Sequence, residues 1–277
     1  MSLMLKLLST TLLLSSFVYA DSVSDKVEDF LDDKFMENSR LKNVDVKVSD
    51  VVPLKKLKGW NAYIIDAEAS LKSQPKKVIK QRMIWFSNGQ VITKDLTDMQ
   101  TGESLSDIVK PAFKDAYYTK ENLICGNVDA KHKVAIFSDP LCPFCKSFVP
   151  DALKYMKKYP EKFAVYYYHF PLERIHPASV PLVKAAVAAE LQGNKDVVEK
   201  LYKVKINPRE KNEKKILQAF NSTVGTKLTV GDLKEATIAR QLKHDRDIAN
   251  AVMVAGTPTV FLDGKVDKTK QKYKKVK

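Results

Sequence analysis

Two cysteines in the segment Cys142-Pro143-Phe144-Cys145 are the residues whose type and spacing promise chemistry. Thiol-disulfide exchange runs by attack of a thiolate on a disulfide sulfur, so the attacking cysteine must ionise near neutral pH and stay accessible. A helix start favours that ionisation, because its unpaired backbone N–H groups and a partial charge of roughly +0.5 stabilise an anion. With Cys142 at the N-cap, Pro143 falls at the first helical position, where its missing N–H costs nothing and its fixed φ suits the turn. Cys145 then sits one turn on, on the same face. Cys142 is therefore expected to attack and Cys145 to resolve the mixed disulfide. Thiols in such motifs have pKa values of about 3.5–7.5 against about 8.5 for a free cysteine, and the residues between them help set the value. Here Phe144 donates no hydrogen bond.

The other use of a CxxC pair is half a metal site, and zinc would need two further ligands. The four histidines, His132, His169, His176 and His244, show no spacing that supplies them, so no metal is expected. No cofactor is expected either, since the dithiol carries the electrons itself. The third cysteine, Cys125, stands beside Leu123 and Ile124. It reads as a small buried hydrophobe, with an intermolecular bridge or a free reactive thiol as the alternatives.

The N-terminus sets the compartment. Lys6 precedes the charge-free apolar run Leu7 to Val18, which closes on Val18-Tyr19-Ala20. This reads as a secretory signal peptide over residues 1–20, cut after Ala20, whereas a membrane anchor would need a longer run of about 20 apolar residues. No later stretch is apolar enough to span a bilayer, so the mature chain is expected to be soluble. Lys and Arg number 47 against 33 Asp and Glu in the 277 residues. The lysines are spread along the chain and only the tail Lys268 to Lys277 is dense, which suggests a solvated basic surface or weak attraction to an anionic membrane. Export argues against a nucleic-acid partner.

Around this chemistry the chain divides. Residues 21–95 read as an acidic helix, Asp21 to Phe35, followed by an antiparallel sheet. Val44 to Ser49 alternates apolar with polar, Tyr63 to Leu71 and Val78 to Phe86 are further strands, and Asn88-Gly89 turns the chain into Val91-Ile92-Thr93. Such a small sheet leaves edges and an apolar face to cover, which a second copy of the chain, or the unit's own helix and linker, would do. This unit holds neither cysteine nor histidine. Residues 96–130 read as a connector with a helix from Leu105 to Tyr118. Residues 131–277 carry the chemistry: a buried strand Lys133 to Ser138 ended by Asp139-Pro140, the CxxC helix, a strand Phe163 to Phe170, helices over about 178–252 with Gly193 as a stop, then Gly256-Thr257-Pro258, the strand Thr259 to Leu262 and a turn at Asp263-Gly264.

A proline after Gly-Thr that opens a strand downstream of CxxC is a candidate cis-proline, whose bond would expose the Thr257 backbone beside Cys142 for an extended client to pair with. An ordinary trans proline at a strand start is the alternative. Phe137-Ser138-Asp139-Pro140-Leu141-Cys142-Pro143-Phe144-Cys145-Lys146 and Gly256-Thr257-Pro258-Thr259 resemble the two active-site segments of the periplasmic DsbC/DsbG disulfide isomerase family, and Asp139-Pro140 with Pro143 looks closer to DsbG. The resemblance implies an α+β, cystatin-like N-terminal dimerisation domain, a connecting helix, and an α/β thioredoxin fold with a helical insertion. It makes Cys142 and Cys145 the redox-active pair and Thr257-Pro258, with Pro143 and Phe144, the client-binding surface. It further implies a homodimer, misfolded or misoxidised exported proteins as substrates, and a membrane redox protein as reductant or oxidant. The extra cysteine Cys125 and the lysine-rich tail, with no apolar terminal helix, depart from that pattern. Three functions remain open: disulfide isomerase or reductase, a dithiol oxidase in the manner of DsbA, and a periplasmic holdase chaperone.

Overall fold

The structure, a computed structural model, describes residues 11–194 and 196–276, with side chains from Val23 onward. The signal peptide expected over residues 1–20 therefore lies outside the described residues up to residue 10 and carries no described side chain beyond it. Among the described residues no helix is long and apolar enough to cross a membrane. The chain forms two compact units, Met1–Lys110 and Pro111–Lys277.

In the first unit α1 (Thr11–Met36) lies on an antiparallel sheet of β1 (Leu41–Pro53), β2 (Asn61–Leu71), β3 (Gln74–Ser87) and β4 (Ile92–Thr93), in that spatial order. The helix expected from Asp21 and the strands expected after it are present. Val23, Val27 and Leu31 recur every four residues, so one stripe of α1 is buried against Val46, Tyr63, Ile65, Ala67 and Trp85. Each side chain of that size, fully buried, stabilises the unit by about 1.5–3 kcal/mol. Strand alternation sends Ala62, Ile64, Ile84 and Phe86 to the opposite face, and they are buried too.

The helix expected over Leu105 to Tyr118 is a single turn, α2 (Ser106–Val109). Pro111 cannot supply the next hydrogen bond and restricts the residue before it, so the chain leaves the helix at Lys110 with ψ 137°. Short 3-10 turns at Asp115–Tyr117 and Lys120–Asn122 follow.

The second unit is built on a five-stranded sheet in the order β5 (Leu123–Cys125), β7 (Phe163–His169), β6 (His132–Ser138), β8 (Thr259–Leu262) and β9 (Lys265–Val266). β6 and β7 are parallel and joined through α3 (Pro143–Met156), while β8 runs antiparallel to β6. β5, which falls inside the expected connector, pairs antiparallel with β7. Gly126 lets it approach so closely: its φ is +85°, and a Cβ there would stand 1.7 Å from the Phe163 carbonyl oxygen.

Alternation along these strands loads both faces. Val134, Ile136, Val165, Tyr167, Val260 and Leu262 pack under α3, and Ala135, Phe137, Tyr166, Tyr168 and Phe261 pack with Phe113 and with Ile248, Ala249 and Val252. The insertion consists of α4 (Ser179–Leu191), α5 (Val197–Leu201), α6 (Glu213–Val224) and α7 (Ala236–Ala251), with its own core around Leu182, Ile216 and Phe220. Gly193, with φ +82°, follows the end of α4 as expected. The lysine-rich tail is docked rather than free: Tyr273 is 2% exposed beside Phe148 and Tyr155 of α3, and the Asp267 carboxylate accepts from the N–H groups of Thr269 and Lys272.

Candidate active site

Asp139 builds the turn that presents the cysteines. Its carboxylate is fully buried. Oδ1 accepts from the N–H groups of Leu141 at 2.7 Å and Cys142 at 3.2 Å and from the Ser179 hydroxyl at 2.7 Å. Oδ2 accepts from the Leu172 N–H at 2.7 Å and lies 3.2 Å from Nδ1 of His176. A single side chain thus ties the end of β6, the start of α3, the loop after β7 and the start of α4 into one frame. Aspartate suits the place because its short side chain folds back on the backbone two and three residues ahead.

Cys142 caps α3 in an extended conformation (φ −66°, ψ 124°) with Pro143 directly inside the helix, and its carbonyl accepts the first helical bond, from the Lys146 N–H at 2.9 Å. Its sulfur therefore stands at the positive end of the α3 dipole. The Thr257–Pro258 bond is cis, and Cys142 Sγ lies 3.6 Å from the Thr257 carbonyl oxygen. The Cys142 sulfur thus stands beside the cis Thr257–Pro258 bond, with Cys145 one turn behind it on α3. Pro143 and Phe144 face outward, Phe144 at 76% exposure.

Accessibility is the point on which expectation and structure differ. Cys142 is only 5% exposed, packed into the cluster under α3 with the Thr257 carbonyl against its sulfur. Cys145 is completely buried. Burial pushes its thiol up to about 11, and the neighbouring Cys142 acts the same way, although the Ser138 side chain and the Asp139 backbone act against them. All three cysteines are free thiols. Cys125 sits apart on β5, half-buried opposite Val165, and burial pushes its thiol to about 11 as well.

Sequence reading missed the partners beneath the motif: His176 and Ser179 on the carboxylate, and Tyr167 and Tyr202 behind Ser138. Asp139 could have been found, since an aspartate three residues before an N-cap is placed to bond that residue's N–H. Tyr202 carries no local signal, because only the fold brings it to Ser138.

A strand, a carboxylate-bound turn, a helix opened by CxxC and a strand returning through a cis-proline define a thioredoxin-like dithiol protein. The family described as thioredoxin matches residues 118–277, more than half of the sequence, and this chain belongs to that family. Among curated proteins the chain is similar to the Na(+)/H(+) antiporter NhaA 1 of Mycolicibacterium gilvum (strain PYR-GCK), 24% identical over 145 residues, a match that covers 50% of this chain and 23% of the antiporter. The chain thus spans under a quarter of that relative's length. Solved structures similar to it include a thioredoxin-like oxidoreductase from Silicibacter pomeroyi DSS-3 (19% identity, 54% of this chain and 84% of that one, TM-score 0.47). Others are BdbD from Bacillus subtilis, oxidised (22% identity, 60% and 90%, TM-score 0.46), and the catalytic domain of Proteus mirabilis ScsC (24% identity, 58% and 92%, TM-score 0.43).

Proposed function

We propose that the protein is an exported thiol-disulfide oxidoreductase of the periplasm that acts chiefly as a disulfide isomerase or reductase on misoxidised exported proteins. The observation that carries this reading is the placement of Cys142 at the N-terminus of α3, its sulfur 3.6 Å from the Thr257 carbonyl, with Cys145 buried one turn behind it. The Cys142 thiolate attacks a client disulfide, forming the Cys142–client bond and releasing the other client sulfur as a thiolate. Cys145 then attacks Cys142, the Cys142–client bond breaks, and the pair closes as a disulfide. Release without resolution, by attack of another client thiol on the mixed disulfide, is isomerisation; a membrane redox protein returns the closed pair to the dithiol. Backbone polar groups at Thr257 pair with an extended client, and exposed Phe144 gives it an apolar contact.

The finer parts of the reading rest on the same active-site segments. We assign the chain to the DsbC/DsbG type, with residues 21–95 as a cystatin-like dimerisation unit, a homodimer, and export by the segment cut after Ala20. The helix on an antiparallel sheet supports the dimerisation unit in architecture.

Expression of the Cys145→Ser variant tests the core of it. Mixed disulfides to exported clients are expected to accumulate through Cys142 and to vanish in Cys142→Ser. The wild-type protein is expected to reactivate substrate with scrambled disulfides. Oxidation of reduced substrate without such reactivation would make it an oxidase, and aggregation suppression that survives loss of both cysteines, with no exchange, would make it a holdase.

A further inference from the structure

The resolving step sets a problem that the CxxC turn does not solve. Cys145 must become a thiolate to attack Cys142, yet it is fully buried, and burial opposes its ionisation. The helix N-terminus serves Cys142, one turn nearer the end. Behind Cys145 lie three side chains from three separate elements: Ser138 at the end of β6, Tyr167 on β7, and Tyr202 just beyond α5. Their exposures are 0%, 2% and 8%. Cys145 shares its buried cluster with Tyr167 and Tyr202, and the Ser138 side chain acts on its thiol in the direction that favours the thiolate; Ser138 Oγ is 2.6 Å from the Tyr202 hydroxyl, and that hydroxyl is 2.7 Å from the Tyr167 hydroxyl.

Donor counting decides what this chain can do. Three hydroxyls carry three protons. When Tyr167 donates to Tyr202 and Tyr202 donates to Ser138, two are used, and the Ser138 proton is left for the sulfur. Each link polarises the next, and a low local dielectric strengthens all of them. The alternative direction, in which the thiol donates to Ser138, suits the neutral form. The chain therefore reverses with the charge on sulfur, without needing a buried carboxylate.

We propose that Ser138, Tyr202 and Tyr167 form a hydroxyl relay that donates to the Cys145 thiolate and accelerates the resolving step, Tyr202 and Tyr167 acting as positioning residues through Ser138. The inference rests on the exchange reading above. In the step concerned, the Cys145–Cys142 bond forms and the Cys142–client bond breaks; the bonding electron pair leaves with the client sulfur, which takes up the proton that Cys145 gave up. No further reactant is needed. The titratable groups facing Cys145 are Cys142 on α3, Tyr167, Tyr202 and Asp139, whose carboxylate oxygens are already engaged. The second tyrosine belongs to the helical insertion, so that insertion contributes a group to the chemistry of the sheet.

Rapid-quench kinetics of the full-length reduced protein with a peptide disulfide separate attack, read as the mixed disulfide, from resolution, read as the closed Cys142–Cys145 pair, across a range of pH. Tyr202→Phe keeps the ring and removes the hydroxyl. It is expected to slow resolution relative to attack about tenfold, the worth of one hydrogen bond to a charged group, and to move the resolving pH profile upward. Ser138→Ala, which disturbs no ring packing, is expected to do the same and serves should Tyr202→Phe fail to fold. Tyr168→Phe, which deletes a partly buried hydroxyl bonded to the Tyr117 carbonyl, is expected to cost stability and leave the profile in place. Resolution by Tyr202→Phe and Ser138→Ala with the wild-type profile overturns the relay while the exchange reading stands. Failure of the wild type and of Cys145→Ser to form any mixed disulfide overturns the exchange reading, and the relay with it.

Discussion

The two units bury different things. Among the described residues of Met1–Lys110 the buried polar side chains are Ser70 and Ser87, beside the phenol of Tyr63, and no carboxylate there is as fully buried as Asp139. Pro111–Lys277 buries Asn122, Ser138, Asp139, His169, Ser179, Asp245 and Asp267. Burying a polar group costs free energy unless it is matched by hydrogen bonds, so a fold accumulates such groups only where geometry has to be held. The first unit is held by apolar packing with charge at its surface. The second is held around buried carboxylates: Asp139 under the cysteine turn, Asp245 on α7 of the insertion and Asp267 at the start of the tail. Stability and chemistry are therefore separable in the first unit and joined in the second.

The sharpest way to break that contrast is Asp139→Asn, which keeps the size and removes half of the acceptors. Asparagine still accepts from Leu141 or Ser179, but its amide then confronts the Leu172 N–H with a second donor. A loss of about 3 kcal/mol is expected, measured by urea denaturation. The exchange rate is expected to fall with it, because the turn that presents Cys142 loses its tie to the loop after β7 at Leu172. A variant as stable and as active as the wild type would remove Asp139 from the frame.

Asp245 provides a second, smaller effect, visible as a pH dependence. It accepts from Asn122 at 2.8 Å, Gln241 at 3.0 Å and the His169 N–H at 2.8 Å, yet burial raises its carboxyl to about 7. The folded protein then holds a proton there that the unfolded chain releases near pH 4. Stability consequently falls as pH rises from about 4 to about 7 and levels beyond. Glu190, pushed to about 7 by burial with Asp245 adding to it, has the same sign. Asp245→Asn is expected to flatten this slope by on the order of 2 kcal/mol between pH 5 and pH 8, read as the difference in urea midpoint. An unchanged slope would place the proton elsewhere.

How far the fold could be read from the sequence follows the range of the interactions. The CxxC helix start was legible because cap, proline and both cysteines lie within four residues. The cis-proline loop was legible because the order of elements, rather than Thr-Pro alone, placed it. The sheet of the first unit was legible from alternation and from Asn88-Gly89. The helix over Leu105 to Tyr118 was not, because Pro111 ends it after a single turn. β5 is three residues long, too short for any period to show, and it exists because Gly126 admits the Phe163 carbonyl. The Ser138–Tyr202 contact spans the intervening helix, strand and insertion, and no pattern within either segment announces it. Low exposure of Cys142 was missed for the same reason: the segment that covers it arrives from residue 257.

The smallest effect belongs to the first unit and tests whether its charges are as peripheral as the contrast requires. Arg82 on β3 meets Asp66 on β2 through two parallel bonds, Nε to Oδ1 at 2.7 Å and Nη2 to Oδ2 at 2.6 Å. The arginine holds the Asp66 carboxyl below its usual range, chiefly by hydrogen bonding. Their side chains are 28% and 40% exposed, so water screens the pair. Arg82→Ala is expected to cost under about 1 kcal/mol near pH 7. Because the folded carboxyl ionises more readily than the unfolded one, that contribution is present above about pH 4 and lost as pH falls through the lowered folded value. Exchange kinetics are expected to remain those of the wild type. A loss as large as that of Asp139→Asn, or one that persists at low pH, would mean that the first unit too is organised around a charge.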